Sequence, residues 1–159
     1  MPSPPSHFFQ KHLAYKYGDI SEVYERIDIE LSGAPYAVTE KDQRIVDEAT
    51  HYNKVWVIEV KRVNNETRYY LAYWFICSLK TSPVPSLIPK GYKHMLTVNE
   101  FEPISGQYFK EPVRITDPDV HDWLADEKWG FNRVDCKAIN HFNTLVETHK
   151  AEMHNFIRK

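Results

Sequence analysis

The longest apolar stretch of the chain runs from Val55 to Leu79, with a polar break at Asn64-Asn65-Glu66. The residues on both sides of the break are β-branched or aromatic almost throughout, and such residues favour extended backbone. The break has the right length for a tight turn between antiparallel strands. The pattern therefore predicts a long antiparallel hairpin, and we expect the rest of the chain to pack on it.

The register of this hairpin decides which side chains share a face. A two-residue turn at Asn64-Asn65 would pair the residues of an apolar face as Val60 with Tyr69, Ile58 with Leu71 and Trp56 with Tyr73. The opposite face would then be aromatic and charged, and would carry Glu59, Lys61, Arg68, Tyr70 and Trp74. A three-residue turn would re-pair the strands and change the composition of both faces.

Three segments before the hairpin have recognisable patterns. Residues 6–17 predict a short helix. Residues 20–31 are ambiguous, because the first half suits a helix and the alternation of apolar residues in the second half suits a strand. We interpret this segment as a helical turn that leads into a strand ending at Ser32-Gly33. Residues 39–50 predict a helix that starts at a capping box.

The segments after the hairpin alternate between loop, strand and helix. Residues 80–91 contain three prolines and predict an extended, semi-rigid loop, while residues 92–98 and 107–115 predict two strands. One helix is predicted to begin at Asp117-Pro118 and the last one at Asp135. The apolar stripe of the last helix would consist of Ile139, Phe142, Val146, His149, Met153 and Phe156/Ile157.

These elements predict a single α+β domain over residues 6–159, after a mobile leader at residues 1–5. The domain would contain an antiparallel sheet of about five strands, open or barrel-like, built on the hairpin at residues 55–79. Helices would precede the sheet, and two helices would follow it. A chain of 159 residues is long enough to bury a core without disulfides or metals.

Charge and cysteine content narrow the classes of partner and compartment. The formal net charge is −2, so no global field would attract nucleic acid or anionic lipid. Cys77 and Cys136 show no CxxC spacing, which favours a reducing compartment and predicts a cytoplasmic protein. No apolar run approaches the length that crosses a bilayer, so we expect no membrane association.

Glu59-Val60-Lys61 resembles the acid-x-Lys motif of the restriction-type and repair nucleases over this one strand. The resemblance implies that Glu59 and an upstream aspartate, Asp47, would hold Mg²⁺ beside a scissile phosphate while Lys61 stabilises developing charge. No other cofactor is predicted. The alternative is a solvated Glu/Lys pair on the wet face of the hairpin.

Two non-enzymatic functions are also open. The first, and our leading expectation, is a binding module that engages a protein or nucleic acid through the aromatic and charged hairpin face and the Pro-rich loop. Its predicted binding residues are Arg62, Arg68, Tyr70, Trp74 and His94. The second is a small-ligand protein with an apolar cavity between the sheet and the last helix. Alternatively, helices cover both faces of the hairpin and its aromatic residues belong to the core.

Overall fold

The computed structural model of the chain describes residues 6–39, 43–98, 106–126 and 131–157, with backbone only for 43–45. The predicted leader at residues 1–5 lies outside the described residues. Within them, the strands are β1 His7–Leu13, β2 Tyr36–Thr39, β3 Asn53–Val63, β4 Glu66–Cys77, β5 Leu79–Thr81, β6 His94–Thr97, β7 Gly106–Arg114, β8 Phe131–Arg133 and β9 Met153–Asn155. The helices are α1 Ala14–Tyr17, α2 Ile20–Ile29, α3 Gln43–Ala49, α4 Pro118–Asp126 and α5 Cys136–Thr148, with 3₁₀ turns at Ile88–Lys90 and Lys150–Glu152.

The strands form two sheets, and the α+β class is as predicted. The larger sheet has six strands in the order β8-β1-β3-β4-β7-β9, and the smaller one has three in the order β2-β6-β5. β1 runs parallel to β3, whereas the other pairs in both sheets are antiparallel. The prediction of one antiparallel sheet of about five strands is therefore wrong in detail. The additional strands are short or were predicted as helix.

β1 accounts for the largest of these differences. Residues 6–17 were predicted as a helix, but only Ala14–Tyr17 is helical. Phe8 and Phe9 point to opposite faces of the sheet and are 0% and 1% exposed, because both faces are covered. A strand buried on both faces carries no alternating pattern, so local sequence does not distinguish it from helix.

The ambiguous segment before β2 is a regular helix throughout. α2 begins after Asp19, whose Oδ1 accepts a hydrogen bond from the Ser21 amide at 2.9 Å. Ile20 and Val23 are among its buried residues, whereas Ile29 is 72% exposed. The helical alternative was correct and the predicted strand is absent, because the apolar residues of the second half do not all face the core.

The predicted helix at residues 39–50 is shorter than expected. Its first residue, Thr39, ends β2, and α3 spans Gln43–Ala49. Val46 and Ala49 are fully buried, as their positions on the predicted apolar stripe required. The second residue of the predicted capping box, Asp42, lies outside the described residues.

The central hairpin confirms the two-residue turn. Asn64 and Asn65 have φ values of 53° and 64°, and two successive positive values are typical of a type I′ turn. Val60 faces Tyr69 and Ile58 faces Leu71, as predicted. Beyond these pairs a β-bulge interrupts the ladder.

The bulge corrects the predicted faces of the hairpin. Val57 faces Tyr73 and Ile58 faces Leu71, so Ala72 is the extra residue of β4. Trp56 therefore lies opposite Trp74, although Tyr73 was the predicted partner. Each side chain of β4 beyond Ala72 points to the face opposite to the predicted one.

The elements after the hairpin largely match their predictions. β6 lies within its predicted segment, β7 starts one residue before its own, α4 starts at Pro118 and α5 starts directly after Asp135. The predicted stripe of the last helix is wrong beyond Thr148, because Met153 belongs to β9 and pairs with Phe109. The chain leaves the helix and adds an edge strand to the larger sheet.

Helices cover both faces of the larger sheet, which confirms the alternative that its aromatic residues are core. On one face, α2 and the smaller sheet pack on residues that include Phe8, Val57 and Tyr73. On the other, α4 and α5 pack on residues that include Trp56 and Leu71. Burial of each large apolar side chain contributes about 1.5–3 kcal/mol. No helix in the described part of the chain is long and apolar enough to cross a membrane.

Candidate functional site

A cleft lies on the α2 side of the larger sheet, between β1, α2, β2 and the Pro-rich segment. We call it the α2 cleft. Its cavity volume is about 20 Å³, and it opens to solvent at its mouth. Its polar and aromatic lining comprises Gln10, His12, Tyr17, Arg26, Tyr36, Tyr73, Lys90 and Tyr92. Its apolar lining comprises Val23, Val38, Val57 and Leu87.

His12 is a buried, neutral imidazole in the wall of this cleft. Its Nε2 lies 2.6 Å from the carbonyl oxygen of Gly18, so Nε2 carries the proton and donates it. Burial lowers the pKa of His12 below its usual 6.5, and the charges of Lys90 and Arg26 lower it further. In the neutral ring Nδ1 is therefore left as a hydrogen-bond acceptor.

Gly18 is required for this contact. Its φ of 97° and ψ of 164° lie in a region that is essentially restricted to glycine. The residue links α1 to α2 and turns its carbonyl group toward His12. The glycine in the sequence therefore does more than end a helix, because it fixes the tautomer of a buried histidine.

Arg26 connects α2 to the second sheet and to the Pro-rich segment. Its Nη1 donates a hydrogen bond to the Tyr36 hydroxyl at 2.7 Å. Its Nε donates to Ser86 Oγ at 3.2 Å and lies 3.4 Å from Glu30 Oε2. The side chain is only 15% exposed, so the guanidinium is held in place beside the cleft.

Gln10 and Lys90 complete the polar lining. The Gln10 Oε1 accepts a hydrogen bond from the Val38 amide at 2.9 Å, which ties β1 to the edge of β2. Its Nε2 makes no hydrogen bond within the part of the chain that the structure describes. Lys90 Nζ lies 5.9 Å from the Tyr17 ring centroid and forms no ion pair among the described residues.

The α2 cleft brings hydrogen-bond donors and positive charge together around one acceptor, which is His12 Nδ1. Arg26, Lys90 and the Gln10 amide can donate to an anion, and His12 Nδ1 can accept from a protonated ligand group. The rings of Tyr17 and Tyr92 lie 5.8 Å apart, inclined by 52°, and provide aromatic surface at the same cleft. Such a set of groups suits a small anionic ligand better than a metal ion or a cationic ligand.

Glu59, the central residue of the catalytic hypothesis, lies on the same sheet face as His12. It is 0% exposed, and its Oε2 accepts a hydrogen bond at 2.8 Å from the Ile20 amide at the start of α2. Its Oε1 lies 3.5 Å from Lys61 Nζ, which is also 3.7 Å from Asp19 Oδ2. Burial raises the pKa of Glu59 above its usual 4.5. The pair thus forms part of the N-terminal cap of α2.

Asp47, the third residue of that hypothesis, lies elsewhere. Its Oδ1 is 3.6 Å from Lys80 Nζ, and its helix joins the start of β3 at Asn53. Glu59 lies six positions further along β3, a distance of roughly 20 Å. Among the described residues no three His, Cys, Asp or Glu side chains lie together as metal ligands. Catalysis by Glu59 and Lys61 stays a prediction.

The predicted binding residues lie in three separate places. Arg62, Arg68 and Tyr70 are at the end of the hairpin, with Arg68 and Tyr70 on the α2 side. Arg62 is on the opposite side and stacks on Tyr15, with 4.2 Å between Cζ and the ring centroid. Trp74 points to the α5 side because of the bulge at Ala72. His94 lies in the smaller sheet, paired with Thr39.

No protein-family model, curated protein or solved structure matches this chain. The geometry alone therefore carries the functional argument. The sequence singled out the Pro-rich segment at residues 80–91, which contributes Lys90, but it gave no indication of Gln10, His12, Arg26 and Tyr92. Their residue types gave no signal, because they come from separate elements that only the fold brings together.

Proposed function

We propose that the protein binds a small anionic ligand in the α2 cleft, with phosphate as the best-matched anionic group. The observation that carries the proposal is the convergence of Arg26, Lys90 and the Gln10 amide beside the buried, neutral His12. A planar guanidinium combined with a lysine ammonium is typical of phosphate recognition. The sequence predicted a small-ligand site between the sheet and the last helix, which is the α5 side. We now propose the ligand site on the α2 side.

The free space in the cleft limits the size of the group that can enter it. A cavity volume of about 20 Å³ holds about one water molecule, so only one compact anionic group would enter the cleft, and the rest of the ligand would lie at its open mouth. Tyr17 and Tyr92 provide a surface on which a planar group attached to the phosphate could stack. The Pro-rich segment supplies Leu87 and Lys90, and Tyr92 follows it directly, so the ligand would join this segment to the sheet.

Calorimetry and thermal unfolding with phosphate, sulfate, acetate and nucleoside monophosphates test the proposal. We expect saturable binding of the phosphorylated ligands and an increase in Tm that follows ligand concentration. Lys90→Ala should weaken binding about 10- to 100-fold, because a hydrogen bond to a charged group contributes about 1.5–3 kcal/mol.

Lys93→Ala is the matched control, since Lys93 is exposed and does not line the cleft. It should bind the same ligands as the wild type. Absence of saturable binding by any anion of the panel would contradict the proposal. Equal affinity of the Lys90→Ala and wild-type proteins would contradict it as well.

A second candidate function is the binding of a single-stranded nucleic acid at the end of the hairpin. Basic side chains and tyrosine rings lie on both faces there: Lys61, Arg68, Arg114 and Tyr70 lie on the α2 side, and Arg62 with Tyr15 lies on the opposite side. Glu66 is shared by Arg68 and Arg114, so part of the positive charge is neutralised. Tyrosine rings that stack on bases and cations that contact phosphates are the usual elements of such surfaces.

Fluorescence anisotropy with labelled single-stranded DNA and RNA tests this second function. We expect an affinity that falls steeply between about 50 and 200 mM salt, and a further loss in Arg62→Ala. Lys110→Ala removes an exposed charge from β7 and serves as the control. If Arg62→Ala and Lys110→Ala bind alike, the hairpin end is not the binding surface.

A further inference from the structure

Lys54 occupies an aromatic cage on the α5 side of the sheet, the face opposite to the α2 cleft. Its Nζ lies 4.4 Å from the ring centroid of Trp56 and 4.0 Å from that of Trp74. The two indole rings are 6.4 Å apart and inclined by 51°. Within the described part of the chain no carboxylate pairs with this ammonium. The cage therefore contains a partly buried amine whose close neighbours are two ring faces.

The bulge at Ala72 creates this cage. It turns Trp74 to the face where Trp56 and Lys54 lie, and Phe142 of α5 packs on the Trp56 ring at 5.3 Å between centroids. Trp56 is 0% exposed, so one wall of the cage is fixed. Trp74 and Lys54 are both partly exposed, so the cage lies at the surface of the protein.

Two opposing effects act on the charge of Lys54. Burial lowers its pKa to about 8, so roughly a tenth of the side chain is the neutral, nucleophilic amine at pH 7. The indole faces attract any cation placed between them. An iminium ion formed on Nζ is also a cation, so the same rings would stabilise the product of a condensation.

His7 supplies a neutral imidazole beside the cage. Its Nδ1 accepts a hydrogen bond from Trp56 Nε1 at 2.9 Å, and its ring stacks on Trp56 at 6.1 Å between centroids. Burial and the nearby charge of Lys54 lower the pKa of His7, so the ring is neutral with its proton on Nε2. That N–H group can donate to an oxygen atom that develops negative charge next to Lys54.

We propose that Lys54 is a nucleophilic amine that condenses with a small aldehyde or ketone to a Schiff base held between Trp56 and Trp74. The Nζ lone pair forms a bond to the carbonyl carbon, and the C=O π pair moves to oxygen. A proton passes from nitrogen to that oxygen, which gives a carbinolamine. Loss of water then breaks the C–O bond and leaves C=N, with no change in the total oxidation state of the reactants.

Competitive labelling at pH 7 tests this reaction. The wild-type protein is incubated with limiting propanal and cyanoborohydride, and the alkylated lysines are quantified by peptide mass spectrometry. We expect Lys54 to be labelled at least about tenfold faster than the exposed Lys93 and Lys110, since burial lowers the pKa of Lys54 to about 8 and the two indole rings hold its iminium. Lys54→Arg should lose this fast adduct and leave the other sites unchanged.

Trp74→Leu separates a reactive cage from a merely structural cation–π contact. With the fold checked by circular dichroism, the variant should label Lys54 at least fivefold more slowly than the wild type, because the iminium loses one of its ring faces. Equal labelling of Lys54 and Lys110 in the wild type would overturn the proposal. Labelling of Lys54 in Trp74→Leu at the wild-type rate or faster would overturn it too.

Discussion

Replacement of Glu59 by glutamine and by alanine tests how this buried carboxylate supports the fold. Its Oε2 receives the first amide of α2 from Ile20, which is itself only 2% exposed. Glutamine keeps an acceptor oxygen at this position and removes the buried charge. Alanine removes both, so the two variants distinguish the hydrogen bond from the charge.

The two variants should differ clearly in the free energy of unfolding that each loses. In Glu59→Ala the buried Ile20 amide loses its partner, which costs about 1–3 kcal/mol, and loss of a buried methylene adds about 0.8 kcal/mol. We expect a decrease of about 2–4 kcal/mol in the free energy of unfolding. Glu59→Gln should lie within about 1 kcal/mol of the wild type at pH 7, because the lost attraction to Lys61 is offset by the removal of a buried charge.

The contribution of Glu59 to the stability of the fold changes with pH in one definite direction. The pKa of Glu59 is raised in the folded state, so its protonated form is favoured by folding. This contribution is fully present below the unfolded value near 4.5 and is lost as pH rises through the folded pKa. Relative to Glu59→Gln, the wild type should therefore lose stability as pH rises from 4.5 through the folded pKa.

Urea unfolding of the three proteins at a series of pH values measures both effects. Equal destabilisation by alanine and glutamine would refute the role of the Ile20 hydrogen bond. A difference between wild type and Glu59→Gln that is constant with pH would refute the raised pKa. The same proteins test the nuclease hypothesis, which requires cleavage of DNA or RNA in Mg²⁺ or Mn²⁺ by the wild type and its loss in a folded Glu59→Gln variant.

Three further substitutions test local geometry, each by urea unfolding. Gly18→Ala places a side chain at φ 97° and should lower the free energy of unfolding by about 1–3 kcal/mol. An unchanged free energy of unfolding would show that His12 does not depend on this turn. Asn65→Gly should stabilise the hairpin by about 0.5–1 kcal/mol, since glycine is preferred in type I′ turns, and a loss of stability would argue against that turn. Tyr73→Phe removes the buried hydrogen bond to the Tyr36 carbonyl and should cost about 1–3 kcal/mol, whereas wild-type stability would show that the bond contributes little.

The sequence predicted those elements that depend on residues close together along the chain. The hairpin turn follows from two asparagines, which adopt positive φ more readily than other non-glycine residues. The buried side of α5 follows in part from its helical period, since Phe142 of the predicted stripe is buried and Ile139 and Val146 are half-buried. β1 gave no such signal, because its pairing joins His7 to Lys54 across a long stretch of chain. Its parallel arrangement depends on that distant contact and not on neighbouring residues.

The α2 cleft could not be predicted for a related reason. Gln10 and His12 reach it only because residues 7–13 form a strand, and Arg26 reaches it only because α2 continues past its first turn. Both features were absent from the sequence-based prediction. The Pro-rich segment was singled out, but nothing in its composition shows which face of the sheet it covers.

The bulge at Ala72 connects the two proposed sites. Strand alternation without the extra residue would place Tyr73 toward α5 and Trp74 toward α2, as the sequence-based register did. The observed pairing instead puts Tyr73 in the wall of the α2 cleft and Trp74 beside Lys54 on the opposite face. One unpaired residue thus determines the lining of both sites, and such bulges occur often next to functional sites because they redirect side chains.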